Sequence, residues 1–239
     1  LNAIQDQIIA NYGRRRFSLI NENWQFVDVG APGMTRYLGS DPSGERRWVA
    51  RITPDGVGGT VTASPASAGF PWADLRVAAL VGANAAQVES GRATWYMNAA
   101  YNYSAETYIQ IVLPNDNTFY FGLINVTSGT GVPATPFAAF RFAGGVWQCL
   151  SRDGAVMQTT VTAVAIPGPA AIAALRVELV GATSVRFYVD NVLVATHAAN
   201  VPTGAPLGVF CRVTSSGGLA GDVALGPVFG MVSQCVVVP

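Results

Sequence analysis

The stretch from Leu175 to Val201, LRVELVGATSVRFYVDNVLVATHAANV, constrains the fold of this chain more than any other. Val185, Phe187 and Val189 alternate with Arg186, Tyr188 and Asp190, and after Asn191 the residues Val192 and Val194 alternate with Leu193 and Ala195. That is the two-residue period of a half-buried strand. Asp190-Asn191 separates the two runs, and both residue types tolerate positive φ better than other non-glycine residues. The pair therefore suits a type I′ turn, and the segment reads as a tight hairpin. The turn sets a register in which Val189 opposes Val192, Phe187 opposes Val194 and Val185 opposes Thr196 on the core face. Tyr188 with Leu193 and Arg186 with Ala195 fall on the other face, and His197 follows them there.

The chain around this hairpin is mostly strands and turns. Only its beginning reads as a helix: Leu1, Ile4, Ile8 and Tyr12 recur at three- and four-residue spacing, Asn2 can cap with Gln5 three residues on, and Gly13 can stop it before Arg14, Arg15 and Arg16. A helix this short is marginal alone in water, so the stripe must dock, either on its own domain or on a neighbouring subunit. Residues 1–30 are expected to form this arm and a lead-in strand, and 31–239 a single sandwich. Alternation marks strands at Phe17–Leu19, Trp24–Val29 and Arg47–Ile52, then in Val88–Tyr101, Thr107–Leu113 and Phe119–Ile124. Glycine, proline and asparagine clusters break these runs throughout, at Pro54-Asp55-Gly56 and Asn115-Asp116-Asn117 for example. Leu75–Val81 is the one apolar run where a second helix competes with a strand. Short strands with turn signals all along 239 residues argue for a two-sheet sandwich.

Charge excludes some functions. The 14 basic residues, all arginine, cancel 14 acidic ones, so no electrostatic role on nucleic acid or anionic lipid is expected. Only 12% of residues are charged, a surface that suggests association, and a homo-oligomer is expected. No apolar run reaches the length of a membrane span, so no membrane partner is expected. Cys149, Cys211 and Cys235 are an odd number without CxxC spacing and read as buried small residues.

The segment from Phe140 to Val213, with its WQC strand, its FYVDN hairpin and its exit ATHAANVPTGAPLG, resembles the concanavalin A-like (laminin-G-like) jelly-roll domains of tailed-bacteriophage virion proteins. The resemblance implies an all-β, concanavalin A-like two-sheet jelly-roll sandwich, here with a short N-terminal helix. It also implies a structural component of a phage particle, a head decoration protein ahead of a tail or fibre part. Such a protein would be assembled in the bacterial host cytoplasm, with other capsid or tail proteins as partners and Leu1, Ile4, Ile8 and Tyr12 as its assembly contact. The alternative is a lectin-like module that adsorbs to glycans. Sugar binding uses exposed aromatics beside amides, and Trp95, Tyr96, Asn98, Tyr101, Asn102 and Tyr103 are the richest such cluster.

Catalytic chemistry is sparse in the sequence. His197 is the single histidine, and the acidic residues are scattered. Arg176-Val177-Glu178 is similar to the arginine–glutamate strand of alginate lyases, which also need a histidine and a tyrosine on matching strands. A polysaccharide lyase or glycosidase is the remote alternative, and the chain is expected not to be an enzyme. Lectins of this fold hold calcium in Asp- and Asn-bearing loops, but Asn115-Asp116-Asn117 and Asp190-Asn191 serve first as turn formers. No metal or cofactor is expected.

Overall fold

Alternation becomes architecture most plainly at Ala173–Val180. Ala173, Leu175, Val177 and Leu179 are fully buried there, while Ala174, Arg176, Glu178 and Val180 are half-exposed. In the computed structural model, side chains are described for residues 102–109, 118–125, 132–143, 145–162, 164, 172–181, 183–203 and 205–214, and the other strands by their backbone alone. The described strands are β1 (Phe17–Asn21), β2 (Arg36–Ser40), β3 (Arg46–Thr53), β4 (Gly59–Ser64), β5 (Trp72–Val77), β6 (Val81–Ser90), β7 (Tyr101–Leu113), β8 (Thr118–Ile124), β9 (Phe137–Ala143), β10 (Val146–Asp153), β11 (Val156–Val161), β12 (Ala173–Val180), β13 (Ser184–Val189), β14 (Val192–His197), β15 (Gly208–Gly217) and β16 (Gly221–Gln234).

They form two eight-stranded sheets. The first runs β14-β13-β12-β7-β16-β5-β4, with β1 on β16, and the second runs β11-β10-β9-β8-β15-β6-β3-β2. Every pairing in them is antiparallel. The expected all-β, two-sheet sandwich is therefore the fold. Leu75–Val77 belong to β5, so the strand wins over the helix in the described part of that run. The strand expected at Phe17–Leu19 is β1, paired with β16. The N-terminal helix stripe Leu1, Ile4, Ile8 and Tyr12, and the strand expected at Trp24–Val29, lie outside the described residues.

One main core fills the space between the sheets. From the first sheet come Tyr103, Leu175, Val177, Leu179, Val185 and Phe187; from the second, Phe119, Phe121, Phe140, Trp147, Cys149 and Cys211. The rings meet edge to face: Trp147 stands 5.9 Å from Phe140, and Phe140 reaches across to Phe187 at 5.4 Å. Such contacts add to the burial of the rings themselves. Burial lifts the Cys149 thiol to about 12 and raises that of Cys211 too, so both behave as the small buried residues expected of them. Gly122 pairs with Ala139 on β9, and a Cβ there would run into the Ala138 carbonyl and Ala139, so only glycine fits.

The hairpin keeps the predicted turn. Asp190 and Asn191 have φ of 49° and 65°, and the Asp190 carboxylate accepts the Ala174 N–H at 2.8 Å. Val189 faces Val192 and Tyr188 faces Leu193 as expected. Between Phe187 and Tyr188 the register then shifts by a β-bulge, so Phe187 faces Ala195, Arg186 faces Thr196 and Val185 faces His197. The expected partners Val194 for Phe187 and Thr196 for Val185 are thereby corrected: Val194 is the extra residue and also leans on the core. A bulge inserts one residue in one strand, and a one-residue slip turns every later side chain to the opposite face.

Candidate functional site

The bulge has its largest consequence at His197. Expected on the outer face, the imidazole is instead fully buried between the sheets. Its Nδ1 lies 2.8 Å from Ser151 Oγ on β10, its Nε2 lies 2.9 Å from Thr160 Oγ1 on β11, and its ring lies 5.1 Å from Phe187. Burial pushes its pKa below the ordinary value. A serine hydroxyl beside an imidazole has the geometry of a nucleophile and base. Ser151 and His197 are both 0% exposed, however, and this pair meets no solvent. Its chemistry is that of a polar tie between β14 of the first sheet and β10 of the second, with Thr160 adding β11.

On the outer face of the same strands the polar residues are open. β12 pairs with β7 so that Arg176 faces Glu106 and Glu178 faces Ser104, and with β13 so that Arg176 faces Tyr188 and Glu178 faces Arg186. Directly opposed residues in an antiparallel pair share a face. Glu106, Arg176, Glu178, Arg186 and Tyr188 therefore form one patch across three strands. The Arg176 guanidinium sits 4.0 Å over the Tyr188 ring, and the Tyr188 hydroxyl donates to Glu178 Oε2 at 3.1 Å. Burial raises the Glu106 carboxyl above its usual range while Arg176 pulls it back. The Tyr188 phenol is raised by burial and by Glu178, with Arg186 opposing. Glu106 and Glu178 stand diagonally across the ladder, where Cα atoms are roughly 7–8 Å apart. Tyr108, two residues along from Glu106, leaves 42% of its surface open at one end, while Ser104 and Asn102 are buried at the other. The patch thus offers carboxylates, guanidinium groups and a phenol for hydroxyl-rich ligands, with an exposed ring beside them.

A second polar row crosses the outer face of the other sheet, buried at its Arg212–Tyr120 end and half-buried at Arg141 and Gln148. Arg212 faces Tyr120, Tyr120 faces Arg141 and Arg141 faces Gln148. Arg141 and Arg212 lie 6.0 and 4.9 Å from the Tyr120 ring centre, and Arg141 Nη1 donates to Gln148 Oε1 at 3.3 Å. Arg212 is 0% and Tyr120 2% exposed, and they adjoin a small apolar cluster of Phe137, Ala139, Leu150 and Phe210.

The aromatic–amide cluster read from the sequence is placed only in part. Asn102 is buried and its Oδ1 accepts the Gly181 N–H at 2.9 Å, which holds the turn between β12 and β13; Tyr103 is in the core. Trp95, Tyr96, Asn98 and the Tyr101 side chain lie outside the described residues. Sequence reasoning missed Glu106 and Tyr188. The strand expected at Thr107–Leu113 began just after Glu106, alternation in RFY marked Tyr188 only as outward-facing, and the similarity at Arg176–Glu178 was the one signal that pointed here. Tyr188 stands on the paired strand β13 opposite Arg176, while the bulge turns the single histidine, His197, to the inner face. Among the described residues no cluster of three or more His, Cys, Asp or Glu is placed to hold a metal.

No family model matches the chain, and no curated protein matches it. Solved structures do. A protein of unknown function from Shewanella oneidensis matches with TM-score 0.58 at 6% identity, over 94% of this chain and 89% of that one. The β-glucanase of Bacillus licheniformis matches with TM-score 0.50 at 13% identity, over 92% and 98%. A carbohydrate esterase of a Shiga toxin-encoding bacteriophage matches with TM-score 0.50 at 12% identity, over 83% and 96%. A sialidase matches 77% of this chain with TM-score 0.50 at 7% identity, but this chain spans only 17% of that protein's length. At such identities the likeness carries the concanavalin A-like fold alone. It also corrects one expectation, that the chain is no enzyme. That expectation rested on a single histidine, on scattered acids and on finding neither a histidine nor a tyrosine on matching strands. The fold instead is shared by a glucanase and a carbohydrate esterase over nearly their whole chains, and it gathers Glu106, Glu178 and Tyr188 on one face. The exclusion is withdrawn, and enzymatic status is open.

Proposed function

We propose that this protein binds carbohydrate on the outer face of its first sheet. The observation that carries the reading is the patch of Glu106, Arg176, Glu178, Arg186 and Tyr188, held by three adjacent strands and flanked by the open ring of Tyr108. Sugar hydroxyls are both donors and acceptors, and a carboxylate beside a guanidinium answers both. An exposed tyrosine adds an apolar platform with a polar tip. The names of fold neighbours, a β-glucanase, a carbohydrate esterase and a sialidase, support a glycan as the ligand. Support is weaker for a head decoration, tail or fibre part in a phage virion. That reading keeps the sequence resemblance and the bacteriophage origin of one fold neighbour behind it, and the two readings combine if a virion component adsorbs to glycans.

The test is calorimetric titration against neutral β-glucans, uronate polymers and sialylated oligosaccharides. We expect one class to bind, and Arg176→Ala and Glu106→Gln each to weaken it at least tenfold with the melting temperature retained. Full binding in both variants would move the site elsewhere, and no binding to any class would remove the reading.

A further inference from the structure

Two strands end the sheets on the same side of the sandwich, and their free edges are guarded differently. β14 and β11 are terminal in their sheets, and Thr160 of β11 is tied to His197 of β14. A terminal strand exposes unpaired backbone groups and is ordinarily blunted by charge, proline or a bulge. β14 carries the bulge at Val194. β11, with the sequence VMQTTV, carries none of the three: its residues pair with β10 in unbroken register from Asp153↔Val156 to Gln148↔Val161. Among the described residues nothing pairs with its other side. Val156 and Val161 are 61% and 60% exposed.

We propose that β11 is an interface between two copies of this chain, each β11 lying antiparallel beside the other about a two-fold axis through Thr159. In such an isologous contact the same patch meets itself, and opposed residues must share a face. The axis must therefore pass through a residue rather than between two. Centring on Thr159 sets Met157 opposite Val161 of the second copy, Gln158 opposite Thr160, and Thr159 opposite itself. Each of these three pairs matches in kind, and no like charges meet; Val156 lies beyond them, opposite Thr162. Centring on Gln158 sets Val156 opposite Thr160 and Met157 opposite Thr159, which mixes apolar with polar in both outer pairs. The Thr159 register also satisfies the outward backbone groups of β11 and joins two eight-stranded sheets into one.

Sedimentation of the whole chain tests this. The wild type should run as a dimer, Thr159→Lys as a monomer with unchanged circular dichroism and melting temperature, and Leu193→Lys on β14 as a dimer. Directly opposed Cα atoms stand about 4.5–5.5 Å apart, within the span of a disulfide. Mild oxidation of Thr159→Cys in a Cys235→Ser background should therefore give a linked dimer that Cys235→Ser alone, with Cys149 and Cys211 buried, does not form. A monomeric wild type would overturn the proposal. So would a Thr159→Lys variant that dimerises as well as the wild type, or a Thr159→Cys variant that fails to link.

Discussion

The two faces of the ribbon β12–β13–β14 carry similar chemistry to different ends. Inside, His197, Ser151 and Thr160 join hydroxyls and an imidazole among aromatic rings, with both hydrogen bonds short. Outside, Arg176, Tyr188 and Glu178 join a cation, a phenol and a carboxylate where water reaches them. The inner group satisfies itself: each ring nitrogen has a partner, which is what makes burying an imidazole tolerable. The outer group keeps lone pairs and donors to spare. Polar residues closed on one another hold the sheets together, and polar residues left open at the surface are free to bind.

If the faces differ in this way, substitutions should grade from inside to outside. Phe187→Ala removes a fully buried ring that touches Phe140 and His197 and should cost about 3–5 kcal/mol in urea melts. His197→Ala leaves the Ser151 and Thr160 hydroxyls without their partner and should cost about 2–4 kcal/mol by the same measurement. A cost as small as that of a surface residue would put the imidazole back outside. Tyr188→Phe removes one half-buried hydrogen bond and should cost about 0.5–1.5 kcal/mol. Arg186→Ala, on the exposed face, should cost under about 1 kcal/mol. Equal costs for Phe187 and Arg186 would erase the contrast.

Acid should act on the inner group through the same geometry. Burial lowers the folded pKa of His197 below the 6.5 of the free side chain. Below that value the unfolded chain therefore binds more protons than the folded one, and stability falls as pH drops from 6.5 toward the folded pKa. Melting curves across that window should show a downward slope toward acid that His197→Ala lacks. An identical slope in the variant would mean that the imidazole is solvated.

Much of the fold was legible along the chain. Val185, Phe187 and Val189 could be assigned to the core from alternation alone, because a strand's side chains point to opposite faces at period two and only one face is wetted. Asp190-Asn191 could be assigned to the turn because few other residues accept positive φ there. The turn's influence ended where the bulge began, and Val194 carries no local mark of being the extra residue. The bulge lets His197 point inward, where Ser151 and Thr160, 46 and 37 residues away, supply its partners. The candidate site was harder to read for the same reason. Glu106 and Arg176 are outward residues on strands 70 positions apart in the chain, and only the ladder between β7 and β12 sets them side by side.

The sequence by itself thus determined the class of fold, the hairpin and its turn, and the fate of Cys149 and Cys211 as core residues, since each depends on local backbone preference or on hydrophobicity. Tertiary structure alone decided which polar residues meet. Placing His197 inside and Glu106 beside Arg176 depends on the register between strands distant in sequence, and one bulged residue is enough to reverse which side of the sheet a side chain serves.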